Sequence, residues 1–366
     1  MKILQIHTTM RQGGVEAMVS ALANEMANQG ADVSVCSIFA PTDDATFWNK
    51  IALKVKKFDL GKKGAGFSIK VLFRILNTVR KGHFDIVNMH GCFYYYVLSV
   101  LLLHTKIKFF YTVHSDARME NTGWDKKFFK FKQFCFKKKW VTPITISAVS
   151  QKSFNDFYNC DSSLIYNGVV KSKISSNCKI IDEARITPDT KVFLHPGRIT
   201  LAKNQIVLVK AFDYLIKNGK DIALIIVGRD EDKVILNEIK QYFSDRIQFI
   251  GIRSDVPDML AKCDGLCLSS IWEGLPVTLL EALSVGCIPI CTPVGGIVDI
   301  IKSGENGILS NSSSLDDYIS ALSEFLELSE AEVHKMKDKC LESFQPYDIQ
   351  NVASNYLELY TSKINQ

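Results

Sequence analysis

The sequence predicts an α/β protein of two domains, each with a parallel β-sheet covered by helices on both faces. Its 366 residues exceed what one hydrophobic core usually supports. Short apolar strands alternate with amphipathic stretches of helical length, and this alternation restarts near the middle of the chain. Because each half opens with a strand leading into a glycine-containing turn, we expect two Rossmann-like domains whose sheets face each other across a cleft.

Ten strands follow from short apolar runs. The first five lie at residues 2–8, 32–39, 85–91, 108–114 and 144–150, and the second five at 191–199, 222–228, 247–251, 264–270 and 287–292. The clearest helix is VEAMVSALANEMANQ at 15–29, which stops before Gly30, a residue common just past helix ends. The pattern therefore alternates strand and helix in both halves.

The domain boundaries are predicted from polar segments. The first domain covers residues 1–170, and a polar linker covers 171–190. The second domain covers residues 191–345. Residues 346–366 have helical spacing and no strand. They are expected to close the second domain or to cross back to the first.

Charge is distributed unevenly, although the net charge is only +5. Residues 1–165 contain 23 Lys and Arg against 12 Asp and Glu, a net of +11, which leaves −6 for the remainder. We therefore expect the basic domain to meet an anionic, extended partner.

Other features of the composition indicate a soluble cytoplasmic protein. The most apolar window, residues 92–103, is shorter than the roughly 20 residues needed to cross a bilayer. The start of the chain has no signal-peptide pattern. The ten cysteines are scattered without metal-ligand spacing, so we expect buried thiols and no metal.

The first motif is the glycine pair Gly13–Gly14, which follows a strand and precedes a helix. Glycines let a ligand approach the backbone, and a helix N-terminus attracts phosphate. A purely steric role in the turn is an equal alternative.

The second motif is HPGRITLAKNQ at 195–205, on a predicted strand–helix loop. The guanidinium of Arg198 and the ammonium of Lys203 suit a diphosphate, which needs several charges met at once. The alternative is a pair of solvated loop cations.

The third motif is SSIWEGLPVTLLEALSVG at 269–286. Pro276 suits the first turn of a helix, which places Glu273 in the loop before it and Glu281 about one and a half turns in. Glu273 would face the reaction centre, and Glu281 would bind hydroxyls such as those of a ribose. Alternatively, Glu273 is a helix-dipole partner and Glu281 a solvated residue.

Two features of the first domain complete the candidates. His114 follows a strand, where a histidine can hydrogen-bond a polar substrate, although a structural role is the commoner one. Residues 124–140 interleave lysines with phenylalanines, which predicts a helix lying in the plane of an anionic membrane surface. An ordinary cationic surface helix with its aromatics in the core is the alternative. No sequence-reading motif favours nucleic acid.

These motifs occur in the order typical of one enzyme family. The chain resembles the family-4 retaining glycosyltransferases, which have the two-domain GT-B architecture, over nearly its whole length. The strongest match is the spacing of Glu273 and Glu281. It is supported by GGVE at 13–16, PGRITLAKNQ at 196–205, AVSQKS at 148–153 and YNGV at 166–169.

The resemblance implies roles for the candidate residues. Glu273 would lie by the anomeric carbon of the donor sugar, and Glu281 would bind the nucleotide ribose. Arg198 and Lys203 would neutralise the donor diphosphate, with the amides of Gly13 and Gly14 approaching it. His114 would contact the transferred sugar. The backbone near Ile252 would hold the base.

The resemblance also implies the reaction: transfer from a nucleoside-diphosphate sugar to a hydroxyl with retention, with no metal and no other cofactor. We expect a polyprenyl-diphosphate-linked glycan acceptor in bacterial surface polysaccharide synthesis, with the protein peripheral on the inner face of the plasma membrane.

The chain departs from the family pattern at VGRDED (227–232), which replaces a glycine-rich turn, and at Pro276, where many members have glycine. These departures leave the sugar open.

Three other functions fit the sequence less well than that of a glycosyltransferase. A nucleoside-diphosphate-sugar 2-epimerase shares the architecture but would need further acid/base residues. A non-catalytic partner subunit would not need Glu273, Glu281, Arg198 and Lys203 together. A nicotinamide dehydrogenase is disfavoured because no G-x-G-x-x-G follows either leading strand.

Overall fold

The computed structural model describes residues 1–11, 13–42, 46–64, 66–95, 106–171, 174 and 178–365. These residues form two compact units. The first comprises Met1–Val170 and Pro346–Gln366, and the second comprises Lys171–Gln345. Each unit contains one parallel sheet with helices, so the predicted fold class of two Rossmann-like domains is confirmed.

The first unit is built on a sheet of seven described strands, all paired in parallel in the order β3-β2-β1-β4-β5-β6-β7. The strands are β1 (Lys2–His7), β2 (Asp32–Phe39), β3 (Lys56–Lys62), β4 (Ile86–His90), β5 (Lys108–Val113), β6 (Val141–Thr145) and β7 (Ser163–Leu164). The helices that follow these strands are α1 (Gly14–Asn28), α2 (Thr46–Asn49), α3 (Ile69–Gly82), α4 (Ala117–Glu120), α5 (Gly123–Lys127), α6 (Phe129–Lys137) and α7 (Ala148–Tyr158).

The second unit has a sheet of six described strands in the order β10-β9-β8-β11-β12-β13, again all parallel. The strands are β8 (Lys191–Pro196), β9 (Ile222–Val227), β10 (Ile247–Phe249), β11 (Gly265–Leu268), β12 (Ile288–Cys291) and β13 (Ile308–Leu309). Its helices are α8 (Lys179–Ala184), α9 (Gln205–Lys217), α10 (Lys233–Ile239), α11 (Val256–Lys262), α12 (Val277–Ser284), α13 (Ile297–Ile300), α14 (Leu315–Glu327) and α15 (Glu330–Phe344).

The last helix of the chain, α16 (Ile349–Ile364), packs in the first unit. Its Tyr360 is fully buried, and the rings of Tyr360 and Phe110 on β5 have centroids 4.6 Å apart. Tyr356 and Val352 lie in the same hydrophobic cluster as the inner face of α1. Burial of these aromatic side chains fixes the end of the chain against the middle of the first sheet.

One predicted strand is misplaced. Residues 144–150 were expected to form a strand, but β6 ends at Thr145 and α7 begins at Ala148. The helix starts there because Ser147 and Ser150 form a capping box, each side chain bonded to the other residue's backbone N–H at 3.0 Å. The strand itself starts earlier, at Val141. It includes Pro143, which cannot donate to the ladder.

The lysine and phenylalanine segment 124–140 is not one continuous amphipathic helix. It contains α5 and α6, which are separated at Phe128. Lys132 on α6 is only 1% exposed, and Phe136 is also buried. The other lysines of the segment are exposed, at positions 126, 127, 130, 137, 138 and 139. Part of the segment is therefore core, as the alternative interpretation held, and part is a cationic surface.

The predicted linker also contains structure. Within residues 171–190, α8 buries Ile181 and Ala184, and Lys262 of α11 donates to Asp182 at 2.9 Å. These contacts join this part of the linker to the second unit. The apolar window 92–103 lies largely outside the described residues. Among the described helices, none combines the length and the apolar character that crossing a bilayer requires.

The cysteines are free thiols, and eight of the ten are buried. The sulfur atoms of Cys263 and Cys287 lie 3.5 Å apart at the amino ends of β11 and β12. Burial raises the pKa of most of these thiols, for example that of Cys340 to about 12. Such thiols behave as small hydrophobic residues and not as nucleophiles.

Candidate active site

The carboxyl edge of the second sheet carries a close ion pair. The ammonium of Lys203, in the loop after β8, lies 2.5 Å from the Glu273 carboxylate in the loop after β11. Glu273 Oε1 also accepts from the hydroxyl of Ser270 at 2.6 Å. The side chains of Lys203 and Glu273 are 19% and 10% exposed, so water screens the pair weakly. The structure thus joins two residues that are 70 positions apart in the sequence.

Two buried side chains hold the loop that carries Lys203. His195, the penultimate residue of β8, and Gln205, the first of α9, are both fully buried. His195 donates from Nδ1 to the carbonyl of Cys267 at 2.8 Å, and its Nε2 accepts from the Gln205 amide at 3.1 Å. The same amide donates to the carbonyl of Arg198 at 2.8 Å. Burial lowers the pKa of His195 to about 4, so the ring is neutral and can accept.

The far end of this loop is fixed to β11. Asn204 adopts a left-handed conformation, with φ of 53°, between a short 3₁₀ turn and α9. The hydroxyl of Ser269 reaches the carbonyls of Lys203 and Asn204, at 2.9 and 3.2 Å. The amide of Ile271 donates to the carbonyl of Ala202 at 2.8 Å. The backbone of Lys203 is therefore placed by neighbouring strands.

The loop after β12 supports the backbone of Glu273. Gly295 has φ of 56°, and a Cβ there would lie 2.1 Å from the carbonyl oxygen of Glu273. The next amide, of Gly296, donates to the carbonyl of Gly274 at 2.5 Å. The hydroxyl of Thr292 donates to the carbonyl of Ser270 at 2.6 Å. Only glycine fits position 295, so this close approach explains the residue type.

Arg198 belongs to a second ion pair. Its guanidinium contacts the Glu231 carboxylate at 2.7 Å, and these side chains are 58% and 47% exposed. Glu231 belongs to the VGRDED turn, where Gly228 has φ of 151° and a Cβ would lie 2.0 Å from the carbonyl oxygen of Gly197. The structure therefore pairs each predicted diphosphate-binding cation with a carboxylate, Lys203 with Glu273 and Arg198 with Glu231.

The remaining candidates of the second unit lie near strand ends. Glu281 is half-buried on α12, and its carbonyl accepts from the hydroxyl of Ser284 at 2.7 Å. Pro276 occupies the N-cap of α12, one position before the first turn expected for it. Ile252 is 52% exposed after β10 and follows Gly251, whose carbonyl accepts from the Gly228 amide.

In the first unit, the glycine pair stands at the start of α1. Gly14 is its first residue, and a Cβ at Gly13 would lie 2.4 Å from a carboxylate oxygen of Glu16. Glu16 accepts from the Thr9 hydroxyl at 2.8 Å and lies 3.7 Å from Nε2 of His7. This contact is with the end of a flexible side chain, so it does not by itself require glycine at position 13. The role of the pair toward a donor stays a prediction.

His114 belongs to a row of histidines at the carboxyl edge of the first sheet. Nδ1 of His90, the last residue of β4, lies 2.8 Å from Nε2 of His114, which follows β5. Nδ1 of His7, the last residue of β1, lies 2.8 Å from the carbonyl of His90. Nε2 of His90 lies 2.8 Å from the Gln5 carbonyl oxygen. Burial, together with the nearby His7, lowers the pKa of His114 to about 3.

The partly buried carboxyl group of Glu120 holds the backbone of His114. The Glu120 carboxylate accepts from the amides of His114 and Ser115 at 2.6 and 3.0 Å. Burial raises the pKa of Glu120 to about 7, and the charge of Lys132 opposes that rise. Lys132 lies 3.8 Å from Asp125 and 4.5 Å from the centre of the Tyr111 ring. The lysine segment thus supports the histidine edge through one buried cation.

The sequence motifs do not identify several residues of these sites as functional. His195 and Gln205 lie within the quoted loop motif, where their spacing of ten residues gives no sign that they touch. The glycine pair at 295–296 follows a predicted strand and is a signal that could have been used. His90 also ends a strand, as His114 does, and the same argument would have found it.

Two family models match the chain in succession. The model described as Glycosyltransferase Family 4 matches residues 12–173, and that described as Glycosyl transferases group 1 matches residues 177–340. Together they cover most of the chain. The chain belongs to the family-4 glycosyltransferases, as the resemblance implied.

Two curated relatives are each identical to this chain at slightly more than a quarter of the positions in the matched segment. An Escherichia coli UDP-Gal:alpha-D-GlcNAc-diphosphoundecaprenol alpha-1,3-galactosyltransferase is 29% identical over 52% of this chain and 48% of its own length. A Campylobacter jejuni N,N'-diacetylbacillosaminyl-diphospho-undecaprenol alpha-1,3-N-acetylgalactosaminyltransferase is 28% identical over 37% of this chain and 36% of its own. The chain thus spans about half or less of the length of these curated relatives.

The likeness to solved structures extends over the whole chain. The Anabaena protein HepE in complex with UDP superposes with a TM-score of 0.81 at 18% identity, covering 99% of this chain and 100% of that one. At this identity the likeness shows the fold. The comparisons give no support to the 2-epimerase alternative.

Proposed function

We propose that this protein transfers a sugar, with retention of configuration, from a nucleoside-diphosphate sugar to a hydroxyl of a lipid-linked glycan. The observation that carries the proposal is the pair of Lys203 and Glu273 at the carboxyl edge of the second sheet, 2.5 Å apart and largely buried. Ligands of open parallel sheets bind at this edge. The anchored loop after β8 supplies a fixed cation beside a fixed carboxylate.

The chemistry assigned to these residues follows from charge. The bond between the anomeric carbon and the diphosphate breaks, and negative charge develops on the leaving phosphate. Lys203 and Arg198 stabilise that charge, which is the largest contribution expected in such a site. Glu273 lies at the reacting sugar, and the leaving phosphate takes the proton of the acceptor hydroxyl. Two cations near the diphosphate replace a metal ion, so the reaction is metal-independent.

The donor is a uridine nucleotide in this proposal. The name of the Escherichia coli relative specifies UDP-Gal, and HepE was solved with UDP. Glu281, half-buried on α12, binds the ribose, and the exposed backbone at Ile252 holds the base. Gly13 and Gly14 approach the diphosphate, and His114 contacts the transferred sugar.

The acceptor is a glycan on polyprenyl diphosphate, reached from the inner face of the plasma membrane. The names of both relatives specify diphosphoundecaprenol acceptors. Six exposed lysines on and around α5 and α6 form a cationic surface, which we call the lysine surface. Trp124 and Phe134 are also exposed there, at 36% and 44%. Cations with exposed aromatics suit an anionic bilayer surface.

Calorimetry with UDP tests the donor site. Lys203→Ala removes a charge-assisted contact to phosphate, so UDP should bind about tenfold or more weakly. Lys217→Ala is the matched control, because Lys217 is an exposed lysine of α9 paired with Asp213. Unchanged UDP affinity in Lys203→Ala would overturn the diphosphate assignment.

Product analysis tests the reaction. With UDP-galactose and a GlcNAc-diphosphoundecaprenol acceptor, we expect an α-linked product by proton NMR and equal rates with and without EDTA. A screen of other UDP-sugars against this acceptor would identify the preferred donor. A β-linked product, or complete inhibition by EDTA, would refute retention or metal independence respectively.

Liposome flotation tests the membrane surface. Six substitutions of lysine by glutamine, at 126, 127, 130, 137, 138 and 139, remove the lysine surface and leave the buried Lys132 in place. We expect the wild type to float with anionic vesicles and the variant to remain in solution. The same behaviour in both proteins would contradict this part of the proposal.

A further inference from the structure

The two ring nitrogens of His114 have different surroundings. Nε2 lies 2.8 Å from Nδ1 of His90. Nδ1 is buried and has no hydrogen-bond partner among the described residues of the protein. A neutral imidazole carries one proton, and the nitrogen that holds it decides whether His114 offers Nδ1 as a donor or as an acceptor.

Gln5 determines the proton position on His90. The carbonyl oxygen of Gln5 lies 2.8 Å from Nε2 of His90, and a carbonyl can only accept. On its other side, the amide nitrogen of Gln5 faces the sulfur of Met26, which can only accept, at 3.6 Å, and the hydroxyl of Tyr360 at 3.5 Å. Nε2 of His90 therefore carries the proton.

A second amide near His90 does not reverse this assignment. The amide nitrogen of Asn88 lies 3.3 Å from Nε2 of His90, which is longer than the contact with Gln5. That nitrogen donates to the hydroxyl oxygen of Thr112 at 3.0 Å. The Thr112 hydroxyl in turn donates to the side-chain carbonyl oxygen of Asn88 at 3.2 Å. Thr112 thus holds the Asn88 amide through both its nitrogen and its oxygen, at shorter distances than the contact with His90.

The proton on His90 fixes the proton on His114. Burial keeps His90 neutral, since it lowers the pKa of that ring well below its usual value, and the neighbouring histidines lower it further. With Nε2 protonated, Nδ1 of neutral His90 is an acceptor, so Nε2 of His114 donates to it. His7 binds the backbone carbonyl of His90 and does not compete for the ring.

We infer that His90 and Gln5 are positioning residues that hold His114 as the Nε2–H tautomer, so that its Nδ1 accepts a hydrogen bond from a hydroxyl of the substrate. The inference rests on the proposed function, which supplies the hydroxyl. A buried acceptor without a partner destabilises the free protein, and a bound hydroxyl removes that cost. Sugars that lack this hydroxyl, or replace it by a group that only accepts, are rejected.

Nitrogen-15 NMR of the histidine rings in the free, full-length protein tests the inference directly. Long-range nitrogen–proton correlations distinguish the two neutral tautomers, and the signals that disappear in His114→Asn identify His114. We expect the wild type to show a protonated Nε2 and a bare Nδ1 at His114. A protonated Nδ1 in the wild type would overturn the inference.

Two substitutions at His90 separate positioning from packing. His90→Asn places an amide oxygen near the position of Nδ1 and should keep the His114 tautomer. His90→Leu removes the acceptor and should give a mixture of tautomers. Gln5→Leu serves if His90→Leu does not fold, and it should also mix the tautomers. If His114 is entirely the Nε2–H tautomer in the folded leucine variants, the positioning role of His90 and Gln5 is refuted.

Kinetics supply the second readout. With UDP-galactose as the probe, His90→Leu should lower kcat/KM at least about tenfold, whereas His90→Asn should stay within about threefold of the wild type. Equal losses in the two variants would contradict positioning. The NMR result does not depend on turnover. A failed transfer assay with the expected tautomer pattern would therefore count against the proposed reaction and leave the tautomer assignment standing.

Discussion

The carboxyl edge of the first sheet carries two hydrogen-bonded histidines, His90 and His114, whose pKa values burial lowers, whereas that of the second carries ion pairs. His90 and His114 share a hydrogen bond within a chain that starts at the Gln5 amide. In the second unit, Lys203 and Arg198 each meet a carboxylate. The contrast runs against the net charge of each half, since the first half of the chain is strongly basic and the second is acidic.

This difference shows that net charge of a domain and charge at its binding edge are separate properties. The excess lysines of the first unit include the six exposed lysines of the lysine surface and the buried Lys132. The cations of the second unit are few but are held in place by hydrogen-bonded loops. Neutral groups suit the hydroxyls of a sugar, and fixed cations suit a diphosphate.

The largest effect should come from the buried cation below the histidine edge. Lys132→Met leaves Asp125 and Glu120 uncompensated, so the first unit should lose about 3–5 kcal/mol of stability. The measurement is urea unfolding in a Trp272→Phe background, in which the remaining tryptophans, at 48, 124 and 140, all belong to the first unit.

The exposed Lys130 provides the control for this experiment. Lys130→Met should change stability by no more than about 0.5 kcal/mol. Adding Asp125→Asn to Lys132→Met should recover part of the loss, because it removes one unpaired charge. Equal stability of Lys132→Met and the wild type would show that the buried cation does not support this edge.

A substitution at the carboxyl edge of the second sheet, where the ion pairs lie, should lower kcat. Glu273→Gln keeps the size of the side chain but removes its charge, so kcat should fall about 10²- to 10³-fold. UDP affinity should change much less. The comparison is Glu281→Gln, for which we expect weaker UDP binding, measured by calorimetry. The prediction separates a catalytic role for Glu273 from a UDP-binding role for Glu281. It would be contradicted if the loss of UDP affinity in Glu273→Gln were large enough to explain the whole loss of activity.

Acid should weaken the second unit through His195. Its pKa in the folded protein, about 4, lies below the ordinary value of 6.5, so the unfolded chain binds more protons between these two values. Stability is therefore complete above pH 6.5 and is lost as the pH falls toward 4. His195→Asn, which keeps a donor for the Cys267 carbonyl, should reduce this slope by up to about 1.4 kcal/mol per pH unit.

The pH dependence is measured by urea unfolding at a series of pH values. His334→Asn is the control, because His334 is an exposed histidine on α15 of the same unit. It should leave the slope of the wild type unchanged. An identical slope in His195→Asn and the wild type would refute the assignment of a neutral, buried His195.

The smallest effect should come from the exposed pair. Glu231→Gln releases Arg198 from its ion pair, so UDP should bind about two- to fivefold more tightly, in keeping with the small energies of exposed pairs. Glu238→Gln on α10 is a control that removes a nearby exposed carboxylate. Weaker UDP binding in Glu231→Gln would show that Glu231 orients Arg198 and does not compete for it.

The predicted strands show what a sequence reveals about a fold. Strands with long apolar runs, such as β1, β2 and β9, were placed within a residue of their observed bounds. The strands that were not predicted are β3, which is rich in lysine, and β7 and β13, which have two residues each. β3 contains three lysines, and a strand of two residues is too short for hydrophobic periodicity to give a distinct signal.

The candidate site was predictable where residues lie close together in the chain. The spacing of Glu273 and Glu281, and the loop with Arg198 and Lys203, are local patterns. The partnership of Lys203 with Glu273 spans 70 positions, and that of Gln5 with Tyr360 spans 355. No local pattern contains these contacts, because they arise when strands and helices that are distant in the chain pack together.

Local sequence patterns are sufficient to define the class of fold, the order of the main strands and the residue types available for binding a diphosphate and a sugar. Periodicity and spacing carry that information, because each strand and helix is formed by residues that are close along the chain. The tertiary structure alone decided that one carboxylate meets Lys203 and another meets Arg198, and that a buried amide sets the hydrogen bonds of the histidine row. Those outcomes depend on burial and on contacts between distant residues, which fix the charge and the proton of each group.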